Sequence, residues 1–262
     1  MPTTYAHYNF GHEVLKLIDG DIKKLINNNI NLFNIGLHGP DILFYYKALK
    51  SNHISKIGHN LHNLPADEFF KNAKNVIKGC PDYDAACAYI LGFICHFMLD
   101  SECHPIIRQK ESKELTHSTI ETEFDRVFML KNNLNPVSFK PTAHIIPNSY
   151  NAEVISWFFK DLSKEEVLKS LKSMRFYLNF LVAPGRIKRS LIISGLKLSG
   201  NYENMIGLMM SYAPNDKCKI INEKLYELYL KAMQPTVVVI SEYYKNINGN
   251  KNPNERFKRN FG

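Results

Sequence analysis

Apolar residues recur along the chain with the three-to-four-residue period of amphipathic helices. An N-terminal stripe predicts a first helix that ends in the asparagine cluster at 27–29. Its apolar positions are Phe10, Val14, Leu15, Leu17, Ile18, Ile22, Leu25 and Ile26. The same period predicts further helices at 66–78, 82–103, 116–131, 151–161, 164–181, 184–198 and from 216 to about 245.

Residues 236–244, TVVVISEYY, contain enough β-branched side chains to form a strand. They continue the helical pattern of the preceding residues, and no set of alternating segments offers them a partner strand, so we expect a helix here as well. The sequence therefore predicts an all-α fold, with one helical domain over residues 1–262 and loops at 34–65, 104–115 and 132–150.

The composition is that of a folded protein with a positive net charge. The 45% of hydrophobic and 12% of aromatic residues exclude a disordered chain, and the formal charge of +8 suits an anionic partner such as phosphate, nucleic acid or a lipid headgroup. The N-terminus lacks the basic-then-apolar pattern of a signal peptide, and the apolar run at 85–94 is shorter than the roughly 20 residues that span a bilayer. We therefore expect a soluble, cytoplasmic protein.

The cysteines do not indicate a disulfide framework or a zinc site made of thiolates. They are odd in number, lie in apolar helical contexts and show no CxxC spacing: Cys80, Cys87, Cys95, Cys103 and Cys218. We interpret them as buried free thiols. Cys103 precedes His104 directly, and a catalytic cysteine needs a histidine nearby as its base. Adjacent residues of a helix point in different directions, however, which disfavours Cys103 as a nucleophile activated by His104.

The histidines are concentrated at the N-terminal side of the chain. Nine of the ten fall in the first 117 residues, namely His7, His12, His38, His53, His59, His62, His96, His104 and His117, and only His144 lies beyond. Carboxylates accompany several of them. Asp41 stands in the motif GLHGPD, whereas Asp100 and Glu121 follow His96 and His117 by four residues each.

These spacings favour a metal centre. An i, i+4 pair places two ligands on one face of a helix, the arrangement that a metal ion uses when other segments complete its shell. A single buried histidine would more often be a hydrogen-bonded core residue. Two such pairs on consecutive predicted helices, together with His104 and Asp41, favour metal binding instead. Imidazole and carboxylate ligands without thiolate indicate zinc, with manganese or iron as alternatives.

Five segments of the chain resemble the zinc-dependent phospholipases C, which share their helical fold with single-strand-specific zinc nucleases. They are AHYNFGHEVLKLI, GLHGPDILFYY, GHNLHNLPADEFF, YILGFICHFMLDSECHP and HSTIETEFDR, in the order of that family. The resemblance implies a multi-helix zinc phospholipase C-like domain, with a metal-site half at 1–132 and a C-terminal helical part at 133–262. It also implies two or three zinc ions in a cleft that hydrolyses phosphodiester bonds.

The resemblance further implies which residues hold each ion. Asp41, His62, His96 and Asp100 would hold one zinc, and His104, His117 and Glu121 a second. His7 matches the histidine of a third site, at which Asp100 would bridge. Asp41, next to the metals in a predicted loop, is the expected general base or water-orienting residue.

Three features of the chain depart from the secreted members of that family. Those members use a new N-terminal tryptophan at the third site, and no tryptophan stands there in this chain. The motif GHNLHN offers both His59 and His62 for one ligand position; the GxxxH spacing favours His62, with His59 as the alternative. The segment between Asp100 and His104 is shorter, and Pro105 is expected to end the helix, so that His104 would reach its metal from a helix terminus.

We therefore predict a zinc-dependent phosphodiester hydrolase of the phospholipase C type. The alternative is a binding or scaffold protein in which the histidines hold structural zinc and no reaction occurs. The expected partner is a phospholipid or another phosphodiester. FLVAPGRIKRSL and FKRNFG are basic and MIGLMMSYAP is apolar, so these segments either contact a membrane peripherally or pack within the fold. No stable nucleic-acid partner is expected, because the sequence shows no aromatic and basic strand platform for single strands.

Overall fold

The computed structural model describes residues 4–249 and 253–262. Within these residues 72% of the chain is helical and no strand is present, which confirms the predicted all-α class. The α-helices are α1 (Thr4–Leu17), α2 (Gly20–Asn28), α3 (Ile30–Gly36), α4 (His53–Asn63), α5 (Asp67–Gly79), α6 (Tyr83–Lys110), α7 (His117–Lys131), α8 (Ser149–Ser156), α9 (Lys164–Leu181), α10 (Arg186–Leu198), α11 (Tyr202–Met205) and α12 (Lys219–Lys245). Short 3-10 helices are Gly39–Tyr45, Ile206–Leu208, Asp216–Cys218 and Glu255–Lys258.

The central helix of the fold is α6, which packs along α3 and α12. Its contact with α3 is close because a glycine lies on each side. A Cβ added to Gly36 would overlap the Tyr89 carbonyl oxygen, and one added to Gly92 would overlap the Phe33 carbonyl oxygen. Among the described residues α6 alone has the length and composition of a membrane span, but 94% of its apolar window is buried inside the protein. Its apolar surface therefore contributes to the core.

The predicted first helix is divided into α1 and α2. The break falls at Ile18 and Asp19, and Asp19 has extended backbone angles of φ −126° and ψ 177°. Ile18 is buried at the break, so the apolar stripe continues although the helix does not. Periodicity follows the buried face and therefore does not detect this turn.

The predicted loop at 34–65 is wrong, because it contains the Gly39–Tyr45 helix and α4. At the start of α4 the Asn52 side chain accepts hydrogen bonds from the backbone N–H groups of Ile54 and Ser55. The Ser55 hydroxyl in turn accepts from the Asn52 N–H, which completes a capping box. Few residues of α4 are buried, so the sequence has no long apolar stripe to indicate this helix.

α6 continues through Pro105, so the predictions that Pro105 ends the helix and that a loop spans 104–115 are wrong. Pro105 lacks the N–H that would bond to the Ser101 carbonyl, a loss of about 3 kcal/mol in a helix interior. The following turn buries Ile107, and the Glu111 N–H bonds to the Ile107 carbonyl at the end of the helix. Packing of this turn offsets the missing hydrogen bond.

Helix α9 is present with the predicted bounds, the other predicted helices are present with shifted ends, and residues 236–244 lie inside α12. Most buried apolar side chains form one cluster that extends from Tyr5 to Phe261. A small second cluster joins Leu181, Ala183, Ile192, Leu196 and Met209 beneath α10. The five cysteines are free, and all except Cys80 are buried, which confirms their interpretation as buried thiols.

Candidate metal centre

Three of the predicted ligands lie on one face of α6. His96, Asp100 and His104 follow one another at intervals of four residues, and all three are buried. Asp100 Oδ2 is 3.0 Å from His96 Nε2, and Asp100 Oδ1 is 3.5 Å from His104 Nε2. The two oxygens of this carboxylate therefore face different histidines, which allows Asp100 to contribute to two sites.

The first ligand group consists of Asp41, His62, His96 and Asp100, each of which offers a ligand atom within 4.8 Å of the others. Asp41 lies on the Gly39–Tyr45 helix. Its Oδ1 is 3.0 Å from His62 Nε2, and its Oδ2 is 3.5 Å from His96 Nε2. Three separate segments of the chain, the Gly39–Tyr45 helix, α4 and α6, thus bring these side chains together.

Gly39 allows the segment that carries Asp41 to approach α6. It has a φ of 49°, in the left-handed region, and a Cβ at this position would overlap the imidazole ring of His96. A larger residue would therefore strain the backbone and displace a ligand. Within the motif GLHGPD the sequence predicts a site role for Asp41 but not for the second glycine.

α4 directs His62, and not His59, toward the first group. His62 Nδ1 lies 2.8 Å from the Gly58 carbonyl oxygen and donates a hydrogen bond to it, which leaves Nε2 as the ligand nitrogen. His59 is exposed, and its ring lies against Phe44 with 4.6 Å between the ring centroids. The geometry therefore distinguishes the two histidines of GHNLHN.

The second ligand group consists of His104, His117 and Glu121. Glu121 Oε1 is 3.3 Å from His104 Nε2 and 3.2 Å from His117 Nε2, so the i, i+4 pair of α7 faces α6. His117 Nδ1 is also 3.2 Å from Glu111 Oε2, a contact that the sequence analysis missed and that orients the ring. The His117 side chain is 28% exposed, so this end of the centre opens to solvent.

His7 lies beside the first group. Its Nε2 is 3.0 Å from Asp100 Oδ1, and its ring centroid is 4.4 Å from that of His96. Asp125 fixes the helix that carries His7, because its carboxylate accepts hydrogen bonds from the first three N–H groups of α1 at 2.7–3.1 Å. His7 and Asp100 thus provide two side chains for a third site.

The contacts within the centre shift the pKa values of its members in opposite directions. Burial lowers the pKa of His62, but Asp41 and Asp100 outweigh burial and raise this pKa to about 9. Burial raises the pKa values of Asp100 and Glu121, but the surrounding imidazoles hold both well below their usual range. These two carboxylates are therefore ionised at neutral pH, as metal ligands must be.

Several ligand atoms of the centre are buried without a hydrogen-bond partner among the described residues. They are both carboxylate oxygens of Asp41, His96 Nε2, Asp100 Oδ2 and Glu121 Oε2. His96 Nε2 and Asp100 Oδ2 are 3.0 Å apart, yet they lack the alignment of a hydrogen bond. Unpartnered polar atoms are costly in a protein interior unless a cation binds them. A set of imidazole and carboxylate donors without thiolate fits zinc.

The C-terminal segment forms one wall of the centre, which the sequence analysis also missed. Phe261 is fully buried, and its ring centroid is 5.9 Å from that of His96. Arg256 and Arg259 bind Glu102 on α6 at 2.8 and 2.7 Å. The basic segment FKRNFG therefore packs against the protein, and its two phenylalanines, Phe257 and Phe261, are the signal that could have indicated this.

Comparisons with known proteins agree with this geometry. A family model described as zinc dependent phospholipase C matches residues 6–174, which is more than half of the chain. No curated protein and no solved structure matches the chain. The matched residues include every candidate ligand from His7 to Glu121 and end before α10 begins.

Proposed function

Because the chain belongs to the zinc-dependent phospholipase C family, we propose that it hydrolyses phosphodiester bonds and that its substrate is a phospholipid. The family is one of hydrolases. The observation that carries the proposal is the convergence of two groups of largely buried imidazole and carboxylate ligands beside one face of α6.

Zinc would be held by Asp41, His62, His96 and Asp100 at one position and by His104, His117 and Glu121 at another. His7 would supply a ligand to a third position, so the centre would contain two or three ions. Zinc bound by these residues would supply the chemistry of clustered divalent ions, namely a more acidic water molecule, a polarised phosphoryl group and a stabilised leaving oxygen.

Asp41 is the proposed general base. Both of its oxygens are buried without a hydrogen-bond donor among the described residues, and they lie next to His62 and His96. The Gly39–Tyr45 helix fixes the position of this carboxylate. It can therefore accept a proton from the attacking water or orient that water toward phosphorus, in addition to binding metal.

A scaffold protein with structural zinc is the second candidate. Structural zinc sites are normally closed by four protein ligands. Within the described residues the second group has three members, and one of them, His117, is accessible to solvent. A three-ligand group at the solvent boundary leaves a position for water or substrate, which favours an enzyme over a scaffold.

Zinc content and hydrolysis, measured together on the purified protein, test the proposal. We expect at least two zinc ions per chain, one for each ligand group, and turnover of a chromogenic phosphocholine diester. Less than one equivalent of zinc after reconstitution would refute the metal centre. Fully loaded protein that is inactive toward a broad panel of diesters would favour the scaffold.

Single-stranded DNA in the same panel separates the substrate classes. We expect weak nuclease activity at best, because the matching family is described as one of phospholipases. Rapid degradation of DNA with slow turnover of the phosphocholine diester would show that nucleic acid is the preferred substrate.

A further inference from the structure

Five large apolar side chains of α9 and α10 are exposed to solvent. They are 45–90% exposed and are named here the α9–α10 surface: Phe176, Phe180, Ile187, Leu191 and Leu198. The rings of Phe176 and Phe180 stack with 5.9 Å between their centroids. Lys188 Nζ lies 5.7 Å from the centroid of Phe180, so the aromatic pair adjoins the start of α10.

α10 has two apolar faces. Ile192 and Leu196 are buried in the small cluster on one side of the helix. Ile187, Leu191 and Leu198 lie on another side, because intervals of four and seven residues return to the same face. A helix that only packs against its own protein needs one apolar face. The outward face therefore indicates a partner.

The residues around this surface are cationic. Between residues 167 and 202 the chain contains no Asp or Glu and seven basic residues: Lys169, Lys172, Arg175, Arg186, Lys188, Arg189 and Lys197. Arg186 and Lys197 are exposed near the two ends of α10. A second copy of the chain would bring like charges together at this surface, which opposes self-association. The charge favours an anionic partner.

We propose that the α9–α10 surface binds an anionic phospholipid bilayer. Exposed aliphatic and aromatic side chains enter the boundary between headgroups and acyl chains, and cations beside them attract anionic headgroups. An acidic protein would satisfy the cations but would also need matching apolar pockets for Ile187 and Leu198. A bilayer satisfies both requirements without a shaped groove.

The surface belongs to a part of the fold that packs against elements carrying ligands of both groups. α9 packs against the helix that carries Asp41. After α10, Gly207 packs so closely against Thr116 and Ser118 that a Cβ would overlap the Ser118 side chain. Thr116 and Ser118 flank His117, the solvent-accessible ligand.

This inference deepens the proposed function, because it names the membrane contact through which a phospholipid substrate is reached. It can nevertheless fail separately, because binding to vesicles is measured without turnover. Hydrolysis of a soluble diester reports on the metal centre, and sedimentation with vesicles reports on the surface.

The test uses zinc-loaded protein and vesicles of phosphatidylcholine, either alone or mixed with an equal amount of phosphatidylglycerol. We expect tighter binding to the mixed vesicles by on the order of tenfold. Ile187→Ser combined with Leu191→Ser should weaken binding to the mixed vesicles by about tenfold or more. Arg186→Gln combined with Lys197→Gln should reduce the preference for phosphatidylglycerol. Both variants should retain wild-type turnover of the soluble phosphocholine diester.

Leu130→Ser combined with Ile220→Ser is the matched control, because these exposed apolar residues lie on α7 and α12, outside the surface. This control should bind vesicles like the wild type. The proposal is overturned if the wild type does not bind mixed vesicles, if the α10 variant binds equally well, or if the control loses as much binding. Vesicle binding without diester hydrolysis would support the surface and count against the proposed function.

Discussion

The metal centre and the α9–α10 surface depart from the usual distribution of polar and apolar residues in opposite directions. The centre buries carboxylates and imidazoles around α6, whereas the surface exposes aliphatic and aromatic side chains on α9 and α10. Both arrangements cost free energy in the isolated chain, since unpartnered polar atoms are unfavourable in the interior and apolar area is unfavourable in water. The direction of each departure indicates the class of partner: a cation for the buried polar centre and a membrane for the exposed apolar surface.

The two regions also differ in their relation to the family. The matched residues, 6–174, contain every candidate ligand, whereas the whole α9–α10 surface follows them. The ligand groups thus lie in the part of the chain that the family defines. The family model gives no expectation for the surface. Mutation should therefore be able to separate the two regions.

The largest expected effect is on turnover, at Asp41. Asp41→Asn keeps the side-chain volume and one ligand oxygen but loses the negative charge. Turnover of the phosphocholine diester should fall by about two to four orders of magnitude, the usual contribution of a general base. Binding to mixed vesicles should stay at the wild-type value.

Zinc content of the same preparation is the control for Asp41→Asn. An active variant with full zinc would exclude Asp41 as the base. Loss of vesicle binding in this variant would show that the centre and the α9–α10 surface are not independent.

The next effect is on zinc content and stability, at Glu121. Glu121→Ala removes one member of a three-ligand group, so zinc bound at this position should be lost. Because metal bound only by the folded state adds to the free energy of unfolding, Tm should fall by roughly 5 °C or more. Leu191→Ser on the surface should change the free energy of unfolding by less than about 0.5 kcal/mol. Wild-type zinc content in Glu121→Ala would contradict the assignment of this group.

The sequence predicts those features of the centre that local geometry determines. The four-residue intervals from His96 to Asp100 and from His117 to Glu121 place each pair on one helix face before any tertiary contact is known. The roles of Gly39 and Phe261 depend instead on contacts between segments far apart in the sequence. Such contacts leave no periodic signal along the chain.

The fold shows the same division between local and tertiary causes. Long apolar stripes predict most of the helices, including α9 with its observed bounds. α4 is defined by its cap and buries few residues, and the last turn of α6 persists beyond Pro105 because tertiary packing holds it. Propensity alone therefore misplaces both of these elements.

A smaller effect is expected at Asp125, which supports the centre by fixing the start of α1. Burial raises the pKa of Asp125 to about 7, against the backbone N–H groups of α1, which lower it. Asp125→Ala removes the acceptor of these hydrogen bonds and should lower the free energy of unfolding by about 1–2 kcal/mol. Asp125→Asn keeps one acceptor oxygen and should cost less. Denaturant unfolding compares the two variants, and an equal loss in both would count against the hydrogen bonds as the cause.

His38 and His144 are imidazoles near the centre that belong to neither ligand group. Their Nε2 atoms are 2.6 Å apart, so one ring donates a hydrogen bond to the other, and His144 stacks on Tyr8 with 4.1 Å between the centroids. Burial, with a smaller contribution from His12, lowers the pKa of His144 to about 3. The pKa of His38 is lowered as well, by burial and by His144. The lowered pKa values keep both rings neutral at neutral pH, and the hydrogen bond between their Nε2 atoms does not require a cation.

The smallest effect is the contribution of this neutral pair to acid sensitivity. Between about pH 3 and the ordinary pKa of 6.5, the unfolded chain binds more protons at His144 than the folded protein does. The contribution of the neutral His144 to the free energy of unfolding is therefore complete above pH 6.5 and is lost as the pH falls below it. At about pH 5 the loss amounts to roughly 2 kcal/mol. His144→Phe keeps a stacked ring that cannot be protonated. Its free energy of unfolding should therefore fall less than that of the wild type between neutral pH and about pH 5. Denaturant unfolding measures this fall, and a chelator is present at each pH so that acid release of zinc does not add to it. An equal fall in both proteins would show that the His38–His144 pair does not contribute to acid sensitivity.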